Sequence, residues 1–143
     1  MADYQRILLA ADFHEDSHAV VERAARLAAL CQARLALLHV VETVPVETGD
    51  ELMMPPSLPA ESELIDNAKR QLASVADTFA IPDAQRFVRV GQTKREILAV
   101  ADEEDSDLII VGSHGRHGLA LILGSTANAV LHGAPCDVLA VRI

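Results

Sequence analysis

A chain of 143 residues, half of them hydrophobic, is long enough to bury a sizeable core and needs no disulfides to fold. The formal charge of −9 and the absence of any run of lysine or arginine argue against nucleic acid or an anionic membrane as a partner. Aromatic residues make up 3% of the chain, which excludes a broad aromatic binding surface. We expect one domain spanning residues 1–143.

The N-terminal residues and the cysteines indicate the compartment. The first apolar stretch is short and has acidic residues on both sides, unlike a signal peptide. No apolar run approaches the roughly 20 residues that a membrane-spanning helix needs. Cys31 and Cys136 lack CxxC spacing, and we interpret both as small apolar fillers rather than a redox pair. A cytoplasmic location is expected.

The first part of the chain predicts a strand, a helix and a second strand. The apolar run Ile7 to Ala11 is typical of a strand and ends at Asp12. Apolar residues spaced three and four apart then predict a helix over Glu15 to Ala33. A second apolar run, Leu35 to Val41, predicts the next strand. Such a unit pairs its strands in parallel.

The periodicity is lost from Glu42 to Pro59, where prolines cluster. At about 18 residues this loop exceeds the usual connection, which is typical of a lid or a poorly ordered insertion. A long helix is predicted from about Ala60 to Phe79, and a third strand over Phe87 to Val90. Thr93 and Glu96 then have the spacing of a capping box and predict the start of another helix.

The fourth predicted strand, Leu108 to Val111, runs into a series of glycines, namely Gly112, Gly115, Gly118 and Gly124. Ser125 and Thr126 follow as good N-cap residues before the helical stretch Ala127 to His132. Glycines allow close backbone approach, and free amides at a helix start attract negative charge, so this order favours a phosphate ligand. Gly133 is expected to end the helix as a C-cap, and Val138 to Val141 predicts the fifth strand.

The alternation of strands and helices predicts an α/β fold, a three-layer sandwich with a mostly parallel five-stranded sheet. In such sheets a ligand binds beyond the carboxyl ends of the strands, where the strand order reverses. If the first and fourth strands are neighbours, Asp12 and the glycine series face each other. Asp12 could instead simply cap the first helix or hold the turn.

The chain shows no arrangement for catalysis or for a metal. No nucleophile and base pair stands out, and the glycine series lacks the lysine of GxxxxGK[ST], so no catalytic residue is expected. His14, His114 and His117 do not supply a clear set of three or four tetrahedral ligands, and no metal site is expected. His39, inside an apolar strand, is expected to be a core histidine with a hydrogen-bonded partner.

Several segments resemble the universal stress protein (UspA) family in the same order and over essentially the whole chain. They are RILLAADFHEDS, LLHVVE, VGQTKREI, DLIIVGSHGRHG and LGSTANAVL. The resemblance implies the adenine nucleotide alpha hydrolase-like fold with sheet order 3-2-1-4-5, a role in stress survival and no conventional enzyme activity. It also implies a homodimer through the last strand, Val138 to Val141, which would cover an exposed sheet edge.

Some members of this family bind ATP through a glycine motif, with two residues between the first glycines and nine before the final Gly-Ser or Gly-Thr. Here eight residues, Arg116 to Leu123, precede Gly124. Members with the shorter spacing are regarded as not binding ATP, although they typically lack the glycines kept here. By resemblance, Asp12 would hold the ribose hydroxyls and backbone near Ala10 and Val40 would meet the adenine. The phosphates would be wrapped by Gly112, Gly115, Gly124, Ser125 and Thr126.

Three functional hypotheses follow. The first is a homodimeric stress-response protein with ATP or another adenine nucleotide as a regulatory ligand. The second is a protein of the same family that binds no nucleotide and acts through contacts with a protein partner that the sequence does not identify. The third is a weak ATP hydrolase.

Overall fold

The computed structural model describes residues 4–42, 60–113 and 125–143. Within them, strands and helices alternate along the chain. The strands are β1 (Arg6–Ala10), β2 (Arg34–Val41), β3 (Gln85–Val90), β4 (Leu108–Ser113) and β5 (Asp137–Arg142). The helices are α1 (His18–Cys31), α2 (Glu61–Thr78), α3 (Thr93–Glu103) and α4 (Ser125–Gly133). A short 3₁₀ helix, Glu15–Ser17, precedes α1, where the sequence predicted α-helix from Glu15 onward.

The five strands form one parallel sheet in the order β3-β2-β1-β4-β5, which confirms the predicted order. The chain therefore builds outward from β1 in one direction and returns to place β4 on its other side. Ile7 of β1 lies opposite Leu35 of β2 and Leu108 of β4. The reversal of strand order lies between β1 and β4.

The two faces of the sheet are covered by different helices, which gives the three predicted layers. One core cluster joins Ile7 and Leu9 of β1 to residues of α1 and α2. The other joins Leu8 to residues of α3 and α4. The alternation follows from the pleat, which points successive side chains to opposite faces. Because β1 and β4 are covered on both faces, their sequences are continuously apolar.

Asp107 ties the start of β4 to the start of β1. The backbone N–H of Gln5 donates to Asp107 Oδ2 at 2.8 Å, and that of Arg6 donates to Oδ1 at 3.0 Å. The N–H of Asp107 in turn donates to the carbonyl of Arg6 at 2.9 Å. These bonds fix the register of two strands that are far apart in the chain.

The predicted capping box at α3 is wrong. The N-cap position is Gln92, whose side chain makes no cap hydrogen bond, and Thr93 is already the first helical residue. Glu42, the residue after β2, supplies the acceptor instead and receives hydrogen bonds from the N–H and the hydroxyl of Thr93. A carboxylate from a neighbouring strand therefore satisfies a helix start that the local sequence does not.

The predicted C-cap at Gly133 is also wrong. Gly133 is the last residue of α4 and does not adopt left-handed backbone. An added Cβ there would lie 2.8 Å from Leu98 Cδ1, so the glycine permits close packing of α4 on α3. Left-handed backbone after a helix is found instead at Gln32, Ala80 and Asp105, with φ of 54°, 55° and 51°.

Some sequence predictions concern residues outside the described ranges. The predicted loop from 42 to 59 is described only at Glu42, and Gly115, Gly118 and Gly124 lie between 114 and 124. Among the described residues, no helix combines the length and the apolar character that crossing a bilayer requires.

Candidate functional site

The sheet order brings the predicted site residues of β1 and β4 to one edge. Since β1 and β4 are parallel neighbours, their carboxyl ends meet at the same edge of the sheet. Asp12 follows β1, while Gly112 and Ser113 end β4. Topology therefore confirms the adjacency of the first and fourth strands on which the prediction depended. This edge is also the switch point at which ligands of such sheets bind.

Asp12 holds the turn that leads from β1 into the first helix. Its Oδ1 accepts a hydrogen bond from the backbone N–H of His14 at 2.8 Å. The same oxygen accepts a second bond from the hydroxyl of Ser17 at 2.7 Å. The structural role that the sequence left open for Asp12 is thus present.

Strand β1 stops before β2 does, which leaves part of the β2 backbone facing the carboxyl edge. The last β1 residue, Ala10, lies opposite Leu38, and the N–H of Ala11 donates to the Leu38 carbonyl at 2.7 Å. Backbone groups of a strand alternate sides with a period of two, so the N–H and C=O of Val40 point the same way as those of Leu38. They are directed into the space beyond the end of β1, beside Asp12.

The side chain of His39 fixes the end of β1. Its Nδ1 lies 2.9 Å from the Ala11 carbonyl oxygen, and since that oxygen can only accept, Nδ1 donates. The ring stacks on Phe13 with centroids 4.1 Å apart. The predicted hydrogen-bonded partner is confirmed, but the His39 side chain is half-buried and is not part of the core.

Gly112 has a packing role in addition to its place at the candidate site. A Cβ added there would lie 2.7 Å from Ile143 Cδ1 and 3.2 Å from Val20 Cγ2. The lack of a side chain therefore lets the end of β4 approach α1 and the last residue closely. This contact accounts for the glycine without a ligand.

Ser125 and Thr126 are the first residues of α4 rather than N-cap residues before it, so that part of the prediction is wrong. Because α4 connects two parallel strands, it runs opposite to them, and its N-terminus lies at the same carboxyl edge as Asp12. Of the residues predicted by resemblance, Ala10, Asp12, Val40, Gly112, Ser125 and Thr126 are described, and the topology places all six at or near this edge.

Ser17 and Glu42 have roles near this edge that the sequence did not predict, and for His39 the sequence predicted a partner without identifying it. Ser17 binds Asp12, His39 binds the Ala11 carbonyl, and Glu42 binds Thr93. A serine a few residues after an aspartate at a strand end is the sequence signal that could have suggested the first pair. No local signal indicates the other two, because their partners are distant in the chain.

A cleft of about 630 Å³ lies elsewhere, at the amino-terminal edge of the sheet. It opens between the ends of α1 and α2 and is lined largely by alanines, with Arg34 and Gln85 at the strand starts. It does not include any predicted site residue. This cleft therefore lies at the opposite edge of the sheet from the sequence-predicted site.

The cysteines and the remaining titratable groups do not form a second centre in the described part of the chain. Cys31 and Cys136 are half-buried and unpaired by disulfides. Burial raises the pKa of the Cys136 thiol, and the nearby carboxylates of Asp137 and Asp107 raise it further. The described residues contain no group of three or more metal-ligating side chains.

Comparison with known proteins decides the family. A family model described as the universal stress protein family matches residues 3–142. This chain belongs to the universal stress protein family. Universal stress protein A homolog 2 of Coxiella burnetii is 44% identical over 144 residues, covering 100% of this chain and 98% of that protein. Homolog 1 of the same organism is 40% identical and covers 96% of each chain.

Solved structures of universal stress proteins have the same fold. Universal stress protein UspA from Lactobacillus plantarum is 30% identical, with a TM-score of 0.71 and coverage of 99% of this chain and 100% of that chain. A universal stress protein crystallised in complex with cAMP is 24% identical, with a TM-score of 0.71 and coverage of 97% of each chain. The adenine nucleotide alpha hydrolase-like fold implied by the resemblance is therefore shown.

Proposed function

We propose that this member of the universal stress protein family is a cytoplasmic stress-response homodimer that binds ATP or another adenine nucleotide as a regulatory ligand. The observation that carries the proposal is the early end of β1 beside Asp12, which leaves no β1 residue opposite Val40 in the described sheet. One N–H and one C=O of the same residue match the acceptor and donor edge of adenine. A related protein of the same fold was crystallised with cAMP, an adenine nucleotide.

The residues of this edge fit the other parts of a nucleotide. Asp12 is a carboxylate acceptor at the end of β1, suited to ribose hydroxyls. The N-terminus of α4, at Ser125 and Thr126, supports negative charge through its backbone amides and the helix dipole. Gly115 and Gly124 remain phosphate candidates by resemblance. In the proposed regulation, the protein would respond to whether the phosphates of a bound nucleotide are present.

The backbone match predicts a preference among bases. Guanine has an acceptor where adenine has its amino group and a donor where adenine has an acceptor, so Val40 would face like groups. Isothermal titration calorimetry with ATP and GTP measures this directly. We expect ATP to bind at least about tenfold more tightly, the cost of one mispaired polar group. Absence of binding at millimolar ATP, or equal affinity for GTP, would contradict the proposal.

A glycine variant tests the phosphate end. Gly124→Val should abolish ATP binding, whereas Gly118→Val, in the same series but outside the motif spacing, should keep it. Circular dichroism checks that both variants fold. Phosphate release no faster than in buffer would end the hydrolase alternative.

The second hypothesis, action through protein contacts without a nucleotide, has its own support. Asp12 holds a turn and Gly112 permits close packing, so both are explained without a ligand. The same calorimetry separates the two functions, because only the first predicts heat of binding.

The proposed dimer interface is the outer edge of β5. In the described sheet β5 pairs only with β4, and its residues Val138 and Leu139 are half-buried. A groove of about 540 Å³ beside it is lined by Tyr4, Leu27 and Leu131 among others, and Leu131 is 49% exposed. The opposite edge strand, β3, carries Arg86 and Arg89, and such charges discourage edge pairing. A second copy of this chain paired along β5 would cover the apolar edge.

A further inference from the structure

We propose that Ser17 and His39 are positioning residues that hold the Asp12 carboxylate ready for the ribose of the nucleotide. The inference rests on the proposed function, since it concerns the same site. Selectivity for a ribose over a 2′-deoxyribose would then depend on two side chains that act on the ligand only through Asp12.

Ser17 does not make the helix-capping hydrogen bond that is usual at its position. It occupies the N-cap of α1, where a serine side chain ordinarily accepts a hydrogen bond from its own helix, yet it makes no such cap bond. Its hydroxyl donates to Asp12 Oδ1 at 2.7 Å instead. The residue is 5% exposed, so water competes little for that hydroxyl. Its hydrogen-bonding capacity is directed at the carboxylate.

The bond from Ser17 fixes one carboxylate oxygen in space. Oδ1 also receives the N–H of His14 at 2.8 Å, so two donors from the turn converge on it. Hydrogen bonds to an ionised acceptor are about twice as strong as neutral ones. The carboxylate plane is thereby set by the protein before a ligand arrives.

His39 fixes the backbone on both sides of Asp12. Before it, the Ala11 carbonyl accepts from His39 Nδ1 at 2.9 Å, while the Ala11 N–H is bonded to Leu38 at 2.7 Å. After it, the Phe13 ring stacks on the same imidazole, with centroids 4.1 Å apart. One side chain of β2 therefore holds the residues that flank Asp12, and the turn cannot rotate without breaking these contacts.

Pre-organisation of this kind should appear in ligand selectivity. A ribose places two adjacent hydroxyls in a fixed geometry, and a carboxylate receives both only when its plane is correctly set. A carboxylate free to rotate would lose part of the second bond, and the advantage of ATP over 2′-deoxy-ATP would shrink.

The test is the ratio of the Kd for 2′-deoxy-ATP to the Kd for ATP, measured by calorimetry. We expect a ratio of about ten in the unaltered protein, the worth of one hydrogen bond to a charged group. Ser17→Ala and His39→Leu should bring the ratio toward one. Ser17→Thr keeps the hydroxyl, and His39→Asn keeps a donor near Nδ1, so both should restore it. Ser74→Ala, which removes an exposed hydroxyl from α2, is the matched control and should leave the ratio unchanged.

The outcomes separate the two claims. No ATP binding by the unaltered protein would overturn the proposed function and this inference together. ATP binding without ribose selectivity, or a ratio that Ser17→Ala and His39→Leu leave unchanged, would overturn this inference alone. If one of these two variants fails to fold by circular dichroism, the other, with its rescue variant, decides the result.

Discussion

At the scale of single residues, Gly112 has two interpretations with different consequences. By resemblance it belongs to the phosphate motif, where a glycine lets backbone approach a ligand. In the structure it also makes room for Ile143 and Val20, which an added Cβ would meet at 2.7 and 3.2 Å. At 2.7 Å the Ile143 side chain has to shift to admit a methyl group, and the buried Val20 leaves little room on the other side.

We predict that Gly112→Ala lowers the free energy of unfolding by about 1 kcal/mol, the usual cost of one extra methyl in a packed site. Ile143→Ala should remove part of the clash, so the glycine substitution should cost less in that background. Urea denaturation of the two single variants and the double variant measures the coupling. Strictly additive losses would show that contact with Ile143 is not the cause.

At the scale of elements, three of the described helices are followed by residues in left-handed backbone that are not glycine. Ala80, just after α2, has a φ of 55°, and the N–H of the next residue, Ile81, donates to the Ala76 carbonyl at 2.9 Å. This hydrogen bond satisfies a helix-end carbonyl, but the Cβ of Ala80 makes the conformation costly.

Ala80→Gly should therefore raise the free energy of unfolding by about 0.5 to 1 kcal/mol, because glycine adopts this backbone without steric cost. Ala73→Gly, the same chemical change inside α2, should lower it by about 1 kcal/mol. Thermal denaturation of the two variants should show melting temperatures shifted in opposite directions. A loss of stability in both would contradict the interpretation of Ala80.

The helices and strands could be predicted because the spacing of their apolar residues reflects which side chains are buried. The central strands are covered on both faces and read as continuous apolar runs, and the helices have one apolar side. Their ends were predicted less well. The start of α3 depends on Glu42, 51 residues away from Thr93, and Gly133 serves packing against Leu98 rather than a cap. Contacts between distant segments leave no mark in a local pattern.

The candidate site was predictable to the extent that topology determines it. Placing Asp12 beside the end of β4 required only parallel strands and the neighbouring of β1 and β4. The resemblance named Val40, but the local sequence pattern does not show why its backbone would face the site, since that depends on β1 ending opposite Leu38. The bond from Ser17 was hidden because a serine at that position usually caps its helix.

At the scale of the whole molecule, the two edge strands of the sheet differ in where their charged and apolar residues lie. The β3 edge has Arg89 among its inner residues, whereas the charged residues of β5 stand at its two ends, the residues between them are apolar, and the exposed Leu131 lies nearby. Since an open apolar edge invites pairing, the β5 edge is where a second copy would be stabilised most.

Leu131→Glu should weaken the proposed dimer about 10- to 100-fold, because it places a charge where an apolar side chain would be buried. Leu64→Glu, on α2 and 38% exposed, is the matched control and should leave the association unchanged. Analytical ultracentrifugation over a range of concentrations measures both. A dimer in the Leu131 variant as stable as that of the unaltered protein would place the interface elsewhere.

The pairing of β1 with β4 also determines the order in which the strands can assemble during synthesis. The hydrogen bond from Arg6 to Asp107 spans 101 residues, so β1 leaves the ribosome long before β4 exists. Until then β1 can pair only with β2, and its other edge stays open at what will be the centre of the sheet. Such long-range pairings form slowly and leave apolar strands open to other chains. A fragment ending before Leu108 would lack both Gly112 and the N-terminus of α4, so the proposed ligand would bind only to a chain that extends into α4.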